Sequence, residues 1–133
     1  MLVATIALAG CAGEPGDPIF GTADTTCTSV VLSNDDGDEQ ILNRAVDCLF
    51  GEIEAGNVIT VDFSIPTVDG DPIYYRYAYD GDTVLTVQDN RADEFGAPTI
   101  LAQQCKSLER TDWTPEGTDC VGIAHDGFPE ARR

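Results

Sequence analysis

Three observations predict an α+β domain in which one amphipathic helix packs on an antiparallel β-meander of four to five strands. They are a single apolar stripe of helical period, a series of segments alternating with period two, and turn residues joining those segments at short intervals. Val30, Val31 and Leu32 suggest a short first strand over 27–32, which Asn34-Asp35-Asp36-Gly37-Asp38 ends. Asp38 is the expected N-cap, because its carboxylate can accept from first-turn amides and suits the positive end of the helix dipole. Leu42, Ala45, Val46, Leu49, Phe50 and Ile53 then recur at three- and four-residue steps, which predicts a helix over 39–54 ended by Gly56.

The clearest strand follows, with Ile59, Val61, Phe63 and Ile65 alternating against Thr60, Asp62 and Ser64. Pro66 and Val68-Asp69-Gly70-Asp71-Pro72 make a turn into a strand over 73–79, where Ile73, Tyr75, Tyr77 and Tyr79 share one face and Tyr74, Arg76 and Ala78 the other. Asp80-Gly81 is a hairpin signal, and Thr83 to Gln88 form the next strand. A polar loop over 89–98 leads to a strand over 99–108, and Cys120 to Ala124 form a short last one.

The N-terminal segment carries an address. Leu8-Ala9-Gly10-Cys11 closes an apolar run from Leu2 and resembles a bacterial-type lipobox, in which small residues before a cysteine permit cleavage and leave a lipid-bearing N-terminus. Residues 2–10 are too few to cross a bilayer, which needs roughly 20 apolar residues, but suit the apolar part of a secretory signal. The expected organisation is a signal peptide over 1–10, a lipidated Cys11 with a Gly- and Pro-rich spacer over 11–25, and one domain over 26–133. Diacylation of Cys11 anchors firmly, so the expected location is the cell membrane, facing outside the cytoplasm.

Seven basic residues against 24 acidic give a formal charge of -17. That field repels phosphates and argues against nucleic acid and anionic head groups as partners. The four cysteines besides Cys11 read as two disulfides in an exported chain. Three pairings are possible. Cys105 with Cys120 is favoured because the two flank a turn-rich segment, Thr111 to Asp119, which leaves Cys27 for Cys48. A four-cysteine zinc site lacks paired spacing.

No cofactor or metal site is expected. Counting from Gly37 as the sixth position of a calcium loop puts Leu32 first and Asn43 twelfth, so the acidic run over 34–39 fails that motif. His125 is the single histidine, which rules out paired-histidine chemistry within one chain. Tyr75 and Tyr77 are candidate binding residues if their face is open, and Trp113, in a turn, is the expected exposed aromatic.

Asp69-Gly70-Asp71-Pro72-Ile73, Tyr79-Asp80-Gly81, Asp89-Asn90-Arg91-Ala92-Asp93-Glu94-Phe95-Gly96 and Cys105 occur in an order and spacing that resemble a family of small uncharacterised secreted proteins and lipoproteins known mainly from bacteria. The resemblance covers 67–109 and implies an anchored domain of unknown function, with no catalytic residues to transfer. Within it Arg91 and Asp93 are candidate binding residues, Arg91 either ordering its loop against carboxylates or facing an anionic ligand. The functional expectation is a non-enzymatic, lipid-anchored module that meets a protein or small-molecule partner through a sheet face or the 89–98 loop. A small carboxylate-dependent hydrolase or transferase is the alternative.

Overall fold

In the computed structural model of the protein, residues 27, 29–33 and 37–132 are described. The expected signal, Cys11 and spacer lie outside them, as does most of the acidic run before the helix. The described elements run β1 (Val30–Val31), α1 (Asp38–Glu54), β2 (Ile59–Pro66), β3 (Pro72–Tyr79), β4 (Val84–Asp89), β5 (Ile100–Glu109) and β6 (Glu116–Gly122), with a 3-10 turn at Pro129–Ala131. They form an α+β unit around one six-stranded sheet in the order β1-β2-β3-β4-β5-β6.

The sheet is mixed, which corrects the expectation of four to five antiparallel strands. β1 runs parallel to β2, with Val30 opposite Phe63 and Val31 opposite Ser64. A helix, not a tight turn, separates these strands, and a parallel pair requires such a crossover. From β2 onward every neighbour is antiparallel.

Helix α1 buries Leu42, Ala45, Val46 and Leu49 on the expected stripe. Its start differs from the expected one. Gly37 occupies the N-cap with φ 96°, a left-handed conformation that glycine adopts without steric cost, and no side chain caps the helix. Asp38 is instead the first helical residue, and its carboxylate accepts a hydrogen bond from the Ser33 amide at 3.1 Å.

The stripe packs against Ile59, Val61, Phe63, Ile65 and Tyr77, and the Cys27–Cys48 disulfide closes the helix onto the segment before β1. The helix therefore covers the β1, β2 and β3 side of one sheet face, and the same face of β4 and β5 is left for other use.

On the opposite face the chain after β6 returns and packs Phe128 and Ala131 against Val87 and Ala102, with Tyr74, Leu85 and Ile100 around them. β6 begins at Glu116, before the expected Cys120. A short polar turn allows the early start: the Thr111 hydroxyl accepts from the Trp113 amide at 2.9 Å and donates to the Thr114 carbonyl at 2.7 Å. The Cys105–Cys120 bridge then joins directly opposed residues of β5 and β6.

Candidate functional site

The register of β3, β4 and β5 aligns Tyr77 with Thr86 and Gln103, and Tyr75 with Gln88 and Leu101. Because side chains alternate across a sheet, these six share the helix-side face. Beyond the edge of α1 they form the floor of a cleft of about 290 Å³. Its far wall is the start of β6 and the turn before it, through Thr114, Pro115, Glu116 and Gly117. The volume lies at the small end for ligand pockets, roughly 300–1,000 Å³, so it suits a compact molecule.

Two interactions hold that wall in place. The Tyr77 hydroxyl, buried at 3% residue exposure, donates to the Pro115 carbonyl at 2.9 Å. Burial pushes the Tyr77 phenol well above its ordinary pKa, and the nearby Glu116 carboxylate raises it further, so Tyr77 remains a donor at neutral pH. Behind the wall, Gly117 lies so close to the Cys105–Cys120 bridge that a Cβ there would come within 2.2 Å of the Cys105 sulfur. No side chain fits at that position without movement of the bridge.

Tyr75 and Tyr77 therefore have two roles, packing against the helix-side core and lining the cleft. Trp113 is 48% exposed and sits beside the wall residue Thr114 without lining the cleft.

Arg91 and Asp93 lie away from the cleft. Arg91 grips Asp89 with both ends of its guanidinium, Nε to Oδ1 at 2.9 Å and a terminal nitrogen to Oδ2 at 2.8 Å. The same terminal nitrogen donates to the carbonyls of Asp126 and Phe128 at 3.1 and 3.0 Å, and the Phe128 amide donates to Asp89 at 2.8 Å. Arg91 thus orders its own loop and fastens the C-terminal segment to the sheet. Burial would raise the Asp89 carboxyl, but hydrogen bonds from Arg91 and Phe128 outweigh it and hold Asp89 below the usual carboxylate range. Asp93 shapes the loop locally by accepting from the Phe95 amide at 3.1 Å.

Thr86, Gln88, Leu101, Gln103 and Glu116 belong to no motif that marks them in the sequence as site residues. The usable signal was a change of character along one face: opposite the tyrosine row, the inward positions of β4 turn from Val84 to Thr86 and Gln88. A face that becomes polar partway across a sheet stops being core. Only the register of β3, β4 and β5 brings these positions together.

A family model described as a domain of unknown function, DUF4362, matches residues 52–118, half of the chain. The chain belongs to the DUF4362 family. The matched span runs from the last turn of α1 into β6 and contains every residue that lines the cleft. Comparison with curated proteins and with solved structures finds no match. The Cys27–Cys48 bridge and the C-terminal segment held by Arg91 extend the DUF4362 span at either end.

Proposed function

We propose that this DUF4362 protein is a lipid-anchored extracytoplasmic binding module, tethered through Cys11 and presenting the cleft beside α1 to a small-molecule partner. The observation that carries the reading is the composition of the cleft. Its lining side chains are aromatic rings, hydroxyls, two glutamines, apolar groups and one carboxylate, Glu116. This combination orients and holds a ligand, since convergent polar groups on an apolar and aromatic floor characterise small-molecule sites. The tether reading is supported by the lipobox-like Leu8-Ala9-Gly10-Cys11 and by two disulfides, which persist in oxidising compartments.

The anchor is tested by metabolic labelling with a clickable fatty acid. The wild-type chain is expected to take up label and Cys11→Ala to take up none, and equal labelling would sink the anchor. The cleft is tested by Leu101→Trp, which fills it from a position already 55% exposed and so leaves the fold intact. In a screen of neutral, cationic and anionic small molecules, a ligand of the wild type is expected to lose at least tenfold in affinity to this variant, with unchanged melting temperature. Turnover of a bound ligand by the wild type, abolished by Glu116→Gln, would replace the module with the carboxylate-dependent enzyme.

A further inference from the structure

Resting on that reading, we propose that the cleft takes an organic cation, a compact protonated amine that stacks against Tyr75 and directs its charge to Glu116. No lysine, arginine or histidine is among the lining residues, so an anionic ligand would find no cationic side chain there, and the chain's charge of -17 would oppose its approach. The same field draws cations toward the cleft.

The rim is arranged to receive one. Glu116 stands in the wall of the cleft, and Glu109 lies directly opposite it in the β5–β6 ladder, outside the lining. Like charges facing across a sheet are destabilising. The ion pairs found among the described residues, Arg76 with Asp62, Arg91 with Asp89 and Arg110 with Asp47, do not involve either glutamate. A bound ammonium would therefore meet a wall carboxylate that no cationic side chain among the described residues already pairs.

The choice between an organic and an inorganic cation follows from ligand number. Calcium takes six to eight oxygen ligands, and no group of three or more acidic, histidine or cysteine side chains suited to a metal occurs among the described residues. An alkylammonium instead needs a carboxylate and an aromatic face, because the ring quadrupole attracts a cation within about 6 Å of its centre. Tyr75 supplies the ring. The Gln103 side chain, with no hydrogen-bond partner among the described residues, supplies an amide oxygen for an N–H donor.

The test is a titration of the full chain, disulfides formed and ¹⁵N-labelled, with methylammonium and tetramethylammonium chloride, against sodium chloride at matched ionic strength, glucose and sodium acetate. The expected result is saturating shifts of the Thr86, Leu101, Gln103 and Gly117 amides with methylammonium, and weaker ones with tetramethylammonium, which has no N–H to donate. Affinity should weaken at least tenfold in Glu116→Gln, weaken in Glu109→Gln, and persist in Tyr75→Phe, which keeps the ring. Both glutamates are exposed, so these variants keep the fold. Non-saturating shifts spread over the acidic surface, or undiminished binding by Glu116→Gln, would overturn the assignment. Saturation of the same amides by glucose alone would overturn the cation and leave the binding module standing. Silence of the cleft toward every probe would overturn the cation assignment, while the Leu101→Trp screen judges the module separately.

Discussion

Replacing Arg91 with methionine will destabilise the domain by about 3–5 kcal/mol, the cost of leaving a buried charge without its partner. Asp89 has no solvent exposure, and the Arg91 side chain is only 23% exposed. Without the guanidinium, Asp89 keeps the Phe128 and Arg91 amides as donors, and the carbonyls of Asp126 and Phe128 lose one. Against a typical domain stability of about 5–15 kcal/mol this is a large fraction. The loss should begin in the C-terminal segment, whose attachment depends on the same contacts. Urea unfolding gives the magnitude, and limited proteolysis should cut the variant within 123–132 under conditions that spare the wild type. A loss below about 1 kcal/mol would mean that water or another cation replaces the guanidinium freely.

The pH dependence of this variant gives a second reading of the same pair. In the wild type, Asp89 titrates below its unfolded value of about 3.9, so its contribution is full above that pH and is lost as acid carries the solution down through the folded pKa. In Arg91→Met, burial still raises the Asp89 carboxyl and only the two backbone amides lower it, so its folded pKa moves up toward the unfolded one. The contribution that acid removes shrinks with that gap. Wild type should therefore weaken on acidification below about pH 4, whereas the variant should weaken less, so that its deficit narrows as pH falls through that region.

Local pattern carried most of the fold. The stripe from Leu42 to Ile53 and the alternation from Ile59 to Ile65 predicted α1 and β2 because each records a periodic, one-sided burial that the backbone geometry imposes. Gly37 took the place expected for Asp38 because a glycine at positive φ can turn the chain into a helix without a side-chain cap. The parallel docking of Val30–Val31 on β2 was not legible, since two residues carry no period and strand direction is set by the crossover. The same limit hid the cleft. Tyr75 and Tyr77 were legible as a face, but whether a face is core or floor depends on how far α1 reaches across the sheet. The attachment of Phe128 to Asp89 spans 39 residues of sequence, and nothing near either residue announces the other.

Removing either disulfide should cost about 3 kcal/mol, and only one of the two removals should disturb the cleft. The chain-entropy model gives roughly 3 kcal/mol for a closed loop of about 15 residues and slightly more for a longer one, so separations of 15 and 21 predict similar losses. The bridges differ in what they hold. Cys27–Cys48 ties the segment before β1 to the flank of α1, toward the opposite edge of the sheet from the cleft wall. Cys105–Cys120 joins β5 to the edge strand β6, and Gly117 of the wall rests against its sulfurs. The Cys27→Ser/Cys48→Ser variant should thus lose stability and keep its wall, whereas Cys105→Ser/Cys120→Ser should lose a similar amount and free residues 114–117. Unfolding in urea measures the first quantity, and amide exchange at Glu116 and Gly117 measures the second. Equal protection of those amides in both variants would show that the bond from Tyr77 to the Pro115 carbonyl holds the wall by itself, and that the edge disulfide serves stability alone.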